Sequence, residues 1–285
     1  MKPNVLLCSH DAGGANLLLA WALAHPENAY DALLSGPALE IYKASPLKFN
    51  LHESIEYLPK SINEFICSTG WQTNWEKKFI EFCISNDKNV TVYLDHWVNY
   101  RSRFICEGKT LIPNRIWVVD EEALNIVAQE IPEVTNVEVV CNYYEDNIIN
   151  NILESQSLSV DSPSILLCLE PIREQKIEPM VLWDNLLRFL NTDFDNCQFV
   201  IRPHPSGESD GTEYLHSGLA SFSSVKISHN SLEEDLNYCE TVIGYQSSIF
   251  SMAHKLKKNV ISYFPATKMT PLLPHHYINY IPEDP

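Results

Sequence analysis

The sequence is poor in positive charge. Twenty lysines and arginines stand against thirty-seven aspartates and glutamates, for a formal net charge of −17. Nucleic acids and anionic membrane surfaces are recognised by basic faces, so this balance argues against both as partners. A small local phosphate site remains compatible with it. No apolar run approaches the ~20 residues needed to cross a bilayer, so stable membrane insertion is not expected. The apolar stretch in the opening "MKPNVLLCSHDAGG" is shorter than a signal-peptide core. The eight cysteines, Cys8, Cys67, Cys83, Cys106, Cys141, Cys168, Cys197 and Cys239, include no CxxC pair, which argues against a zinc site or a disulfide framework. Several fall in or beside apolar runs such as "VLLCSH" and "ILLCLE", the pattern of buried free thiols in a reducing cytoplasm. HExxH motifs and tight His/Cys clusters are missing, and His275 and His276 near the tail have no evident partner. The expectation is chemistry with no protein-bound metal and no cofactor. The GxGxxG dinucleotide fingerprint is missing too, so NAD is not inferred.

What the sequence does have is alternation. "NVLLCS", "YDALLSG", "SIEYL", "EFICST", "NVTVYLD", "RIWVVD" and "VEVVC" read as strands, with helical spacing in "NWEKKFIEFCISN" and "EEALNIVAQEI". A polar, serine-rich stretch at residues 150–164 reads as a linker. Alternation then restarts with "SILLCLE", "PMVLWDNLLRFLN", "CQFVIRP", "SVKIS", "SLEEDLNYC", "TVIGY", "SIFSMAHKL" and "NVISYF". The last twenty residues look irregular. The expected fold class is α/β, with two Rossmann-like domains, residues 1–150 and 163–285, facing across a cleft.

Chemistry-bearing residues cluster where strands end. Ser247 and Ser248 stand where the strand "TVIGY" turns into the helix "SIFSMAHKL". One serine caps a helix by accepting a backbone N–H bond. Two adjacent hydroxyls beside unpaired N–H groups also suit a phosphate. Arg202 and His204 in "RPHP" leave another strand, offering a fixed cation and a group that gives up a proton near neutral pH. Glu170, at the end of "SILLCLE", could hold ribose hydroxyls or cap a turn. In the first half, Gly13 and Gly14 would allow a ligand or the other domain to approach the backbone. His10, Asp11 and Asp95 are rival general bases, although Asp11 also suits a helix cap. Trp71, His96 and Arg101 are candidates to line an acceptor pocket, and Trp75 and Trp97 could stack on a sugar or belong to the core.

The "RPHP" at Arg202–Pro205 and the "SS" at Ser247–Ser248 resemble the HP and SS motifs of bacterial sialyltransferases and polysialyltransferases. These are GT-B-fold enzymes that build surface glycans. Residues about 165 to 264 are also similar to the second domain of CDP-glycerol and CDP-ribitol polymerases. The resemblance implies a GT-B glycosyltransferase that binds a CMP-, CDP- or UDP-linked donor in its second domain and a glycan acceptor in its first. His204 would contact the donor phosphate and could act as acid, and Ser247 and Ser248 would hold that phosphate. The acidic-acidic-glycine motif that carries the base in sialyltransferases has no clean match, so the base stays open among Asp11, His10 and Asp95. A nucleotide-sugar hydrolase and a 2-epimerase are alternatives on the same fold. The epimerase reading expects an acid in the helix after the serine turn, and "SIFSMAHKL" has none. A non-catalytic subunit that binds a glycan or a partner enzyme is the third alternative. The sequence leaves the oligomeric state open.

Overall fold

The apolar runs and helical periods fold into two parallel sheets, one in each half of the chain. The computed structural model describes residues 3–70, 73–155, 164–170, 178–194, 197–204, 211–222, 224–266 and 270–281. The first half holds β1 (Asn4–Ser9), α1 (Ala12–Ala24), β2 (Ala29–Leu34), α2 (Gly36–Ala44), β3 (Asn50–Leu51), β4 (Glu64–Ser68), α3 (Trp75–Ser85) and β5 (Val90–Tyr93). It continues with α4 (Tyr100–Arg103), β6 (Ile105–Cys106), β7 (Lys109–Thr110), β8 (Arg115–Val118), α5 (Glu121–Glu130), β9 (Val137–Val139) and α6 (Tyr143–Glu154). The second half holds β10 (Ser164–Cys168), α7 (Pro179–Asp193), β11 (Gln198–Arg202), α8 (Thr212–Gly218), β12 (Ser224–Ile227) and α9 (Leu232–Tyr238). It ends with β13 (Thr241–Gly244), α10 (Ile249–Lys255), β14 (Asn259–Ser262) and β15 (Asn279–Tyr280). The chain divides into two compact units, Met1–Asp146 and Asn147–Pro285, so the boundary falls inside α6.

The first sheet runs β3-β2-β1-β4-β5-β8-β9 and the second β12-β11-β10-β13-β14-β15. Each grows outward in both directions from a central pair, β1 and β4 or β10 and β13. At such a switch point the two connecting loops diverge to opposite faces of the sheet, leaving a crevice at the strands' carboxyl ends where ligands bind in open α/β sheets. Asp11 follows β1 and Thr69 follows β4. Glu170 follows β10, and Ser247 lies three residues beyond β13. The doubly wound order thus brings the singled-out Asp11, Glu170 and Ser247 to the two switch points, with Thr69 beside the first.

Packing explains why the central strands read as unbroken apolar runs. Val5, Leu6, Leu7 and Cys8 of β1 are fully buried, as expected of a parallel strand covered on both faces. Leu17, Leu18 and Trp21 of α1 pack on Val5, Leu7, Ile66 and Tyr93, while Ala15 and Leu19 pack on Ala32, Ala38 and Tyr42. In the second unit Leu182, Trp183, Leu186 and Leu190 of α7 cover Ile165, Leu167, Phe199 and Ile201. Burying such a side chain contributes about 1.5–3 kcal/mol each. Seven of the eight cysteines are buried free thiols and Cys141 is exposed. Among the described residues no helix is long and apolar enough to cross a membrane.

Three local expectations are corrected. "SIEYL" is not a strand: the Ser54 hydroxyl accepts the Glu56 N–H at 3.2 Å and closes a 3₁₀ turn at Ile55–Tyr57. Residues 150–154, expected in the linker, complete α6, and residues 156–163 lie outside the described ones. In the tail, β15 pairs in parallel with β14.

Candidate functional site

At the switch point of the first sheet the chemistry is carboxylate chemistry. Asp11 is the N-cap of α1, and its Oδ2 accepts from Gly13 N at 3.1 Å and more weakly from Gly14 N at 3.5 Å. Asp95, just beyond β5, is held through Oδ1 by Arg103 Nη1 at 2.7 Å. The two carboxylates meet over Gly13. A Cβ placed there would overlap Asp95 Oδ2 and lie 3.4 Å from Asp11 Oδ2. Burial pushes the Asp11 carboxyl above its usual range, and the neighbouring Asp95 charge pushes it further.

A third carboxylate supports the pair. Glu76 on α3 is fully buried, and its Oε1 accepts the backbone N–H of His10 at 2.8 Å and of Asp11 at 3.0 Å. Thr73 donates to its Oε2 at 3.2 Å. The turn that carries His10 and Asp11 is therefore tied to α3. Ser68 donates to Ser9 at 2.6 Å, and Ser9 donates to the Asp11 carbonyl at 3.2 Å, fixing the same turn from the β4 side.

At the switch point of the second sheet, Glu170 meets Ser247. The Ser247 hydroxyl and the Gln246 backbone N–H lie beside the Glu170 carboxyl and favour its charged form, and its buried Oε1 has no hydrogen-bond partner. The Tyr245 hydroxyl and Gln246 Nε2, on the same strand end, are buried without partners as well. Buried polar atoms are seldom left unsatisfied in a protein, so the unpartnered Glu170 Oε1 beside Ser247 marks a place where a ligand could supply a bond. Desolvation raises the Glu170 carboxyl to about 7, against the opposing effect of these two neighbouring donors.

This shift has a sign that can be measured. Between about pH 4.5 and 7 the folded protein keeps a proton on Glu170 that the unfolded chain releases, so stability falls as pH rises through that window. Above pH 7 the loss is complete, on the order of 3 kcal/mol. Glu170→Gln should remove this component, so that its advantage over the wild type in urea melts grows from pH 5 to pH 8. Parallel pH dependences for the two proteins would contradict it.

The remaining candidates divide clearly. Arg202 ends β11, in register with Cys168 of β10, so His204, Glu170 and the serines follow three neighbouring strands in the order β11, β10, β13. Arg202 does not present a bare cation. Its Nη1 donates to Asp235 Oδ2 at 2.6 Å and to the Asn230 carbonyl at 3.0 Å, and Asp235 also accepts from Ser228 at 2.6 Å and Asn230 Nδ2 at 3.2 Å. His204 is half-buried at the strand end. Ser248 occupies the N-cap position of α10 but makes no capping bond, and the Ser247 hydroxyl accepts from Ile249 N at a long 3.4 Å.

In the first unit, the space beside Gly13 and Gly14 is filled by the protein itself. Asp95 occupies the space at Gly13 and Ser68 that at Gly14, so neither glycine is open to a ligand on that side. The His10 ring packs over Gly36, whose φ of +53° tolerates glycine best, and lies 6.3 Å from the Trp75 ring. Arg101 is committed to the surface, bonding Glu133 at 2.7 and 2.8 Å and the Glu130 carbonyl at 3.3 Å. Trp97 is core, its Nε1 donating to both oxygens of Asp120 at 2.9 Å. His96 is half-buried against it, with ring centroids 5.5 Å apart. Trp71 lies outside the described residues. Glu76 and Asp235 had no local signal, because their partners are 65 and 33 residues away.

No family model and no curated protein sequence matches the chain. Solved structures do. The UDP-GlcNAc 2-epimerase of Methanocaldococcus jannaschii, in complex with UDP-GlcNAc and UDP, superposes with a TM-score of 0.65 at 14% identity, covering 99% of this chain and 89% of the other. The UDP-GlcNAc 2-epimerase of Neisseria meningitidis, bound to UDP-GlcNAc, gives 0.65 at 11% identity over 91% and 82%. The Rickettsia bellii UDP-N-acetylglucosamine 2-epimerase gives 0.60 at 11% identity over 92% and 79%. At these identities the likeness is one of fold, and the chain has the α/β architecture of two Rossmann-like, GT-B-like domains expected from its sequence.

Proposed function

We propose that this protein is an enzyme acting on a nucleotide-activated sugar, and that it transfers the sugar, or a polyol phosphate, to a glycan hydroxyl without a protein-bound metal. The observation that carries this reading is the meeting of Glu170 with Ser247 at the switch point of the second sheet, one strand from His204. The nucleotide is assigned to the second unit. Ser247 and Ser248 hold the leaving phosphate, His204 neutralises or protonates it, and Glu170 takes the ribose hydroxyls with its unpartnered Oε1. Arg202 serves this site indirectly, by locking the strand end that carries His204 to Asp235. The base is assigned to the first unit, where Asp95 takes the proton of the acceptor hydroxyl as it attacks.

Epimerisation is the second reading, and two observations favour it. The solved neighbours named above are UDP-GlcNAc 2-epimerases. The Asp11–Asp95 pair also offers an acid and a base together, which reversal at a C–H centre requires. The helix α10 still lacks an acid, which favours transfer. One experiment separates these reactions: incubation with UDP-, CDP- and CMP-sugars in D₂O, with and without a glycan acceptor. UDP is the first probe, because the Methanocaldococcus jannaschii structure contains it. Transfer predicts nucleotide release that depends on acceptor and leaves the sugar free of deuterium. Epimerisation breaks the C2–H bond and predicts deuterium at C2 without acceptor. Acceptor-independent release without deuterium identifies a hydrolase. Absence of both turnover and binding with all three nucleotides would overturn the enzyme reading.

A further inference from the structure

A buried arginine stands beside the carboxylates of the first unit. Arg103 is 4% exposed. Its Nη1 reaches the Thr69 carbonyl at 2.6 Å and Asp95 Oδ1 at 2.7 Å, and its Nε reaches the Val98 carbonyl at 3.3 Å. It therefore ties the segment after β4 to the segment after β5 and grips Asp95 by one oxygen. The other oxygen of Asp95 turns toward Gly13, where Asp11 Oδ2 also lies.

We propose that Arg103 is a positioning residue that keeps the negative charge on Asp95 and leaves the proton of the pair on Asp11, making Asp95 the base and Asp11 its proton-bearing partner. This rests on the acid/base assignment made above to the first unit. Three carboxylates, Asp11, Asp95 and Glu76, share this strand edge with the guanidinium of Arg103. Two carboxylates on either side of one glycine, both half-buried, resist holding two charges, so a proton stays on one of them. The cation is bound directly to Asp95. Asp11 instead has two backbone N–H groups, one of them at 3.5 Å, and feels Glu76 as well as Asp95. The Tyr100 hydroxyl on α4 also feels both Arg103 and Asp95, and burial keeps it neutral. The His10 ring is turned away onto Gly36 and Trp75. The direction of the Asp11 shift agrees with this distribution of charge.

The test does not need an activity. Carboxyl ¹³C resonances of protein labelled in aspartate are followed from pH 3 to pH 9, with Asp11 and Asp95 assigned from Asp11→Asn and Asp95→Asn. In the wild type the proposal expects the Asp11 carbon to titrate above the other aspartates while the Asp95 carbon is already in its ionised position. In Arg103→Gln the late-titrating resonance should move to Asp95, and Asp11 should titrate lower than in the wild type. Arg103→Lys, which keeps the charge, should leave the late proton on Asp11. If Arg103→Gln does not fold, the wild-type titration still decides. A late-titrating Asp95 beside an early Asp11, or a late Asp11 in Arg103→Gln, would overturn the proposal whatever the enzyme's reaction proves to be.

Discussion

Asp95→Asn lowers turnover of the nucleotide sugar by about 10²–10⁴-fold, the usual contribution of a positioned general base, and leaves UDP affinity within about twofold. The substitution changes no volume, and an asparagine oxygen still accepts from Arg103. What it removes is the charge. Once Asp95 is neutral, its repulsion of Asp11 disappears and Asp11 ionises more readily beside the same cation, so the cluster keeps one compensating charge. Stability should therefore fall little, which separates loss of chemistry from loss of fold. Single-turnover rates with the sugar donor, alongside calorimetric titration with UDP, check both halves. A fall of less than tenfold in rate, with UDP affinity intact, would remove Asp95 from the mechanism.

Arg202→Met has the largest expected effect on stability, a loss on the order of 3 kcal/mol. Asp235 has a side chain only 1% exposed, and without the guanidinium its charge is left with the Ser228 and Asn230 donors alone. An unpaired buried charge is costly in a way that an exposed one is not. Urea melts should show the loss in the second unit, followed through Trp183 fluorescence in a background where the other tryptophans are replaced. The double change Arg202→Met with Asp235→Leu should recover most of it, because removing both partners leaves no orphan charge. Unchanged stability with UDP binding abolished would show instead that Arg202 contacts the phosphate itself.

The fold was legible because both signals that matter for parallel sheets are local. "VLLC" and "ILLC" are apolar without alternation, and α3, α5 and α7 have apolar residues at helical spacing. The short elements were not legible. The two-residue strands β3 and β15 have no periodicity to read, and the end of α6 hid because it runs directly into a serine-rich stretch. At the sites, the sequence placed Asp11, Asp95, Glu170, His204 and the serines at strand ends, which the doubly wound order lines up along one edge of each unit's own sheet. It could not show what pairs with what. Arg202 looked like a cation awaiting a phosphate, yet Asp235, a helix away, neutralises it. Gly13 and Gly14 looked like openings, yet Asp95 and Ser68 fill them. Arg101 and Arg103 are two residues apart on one turn, and only the fold sends one to the surface and the other to the carboxylates.

The most direct measurement is to map UDP onto the protein by following backbone amide resonances during a titration. Binding at the second switch point predicts saturable shifts concentrated at Glu170 and at Gln246–Ile249, weakened about tenfold in affinity by Ser247→Ala. Saturable shifts confined to other segments, or no shifts with UDP, CDP or CMP, would contradict it.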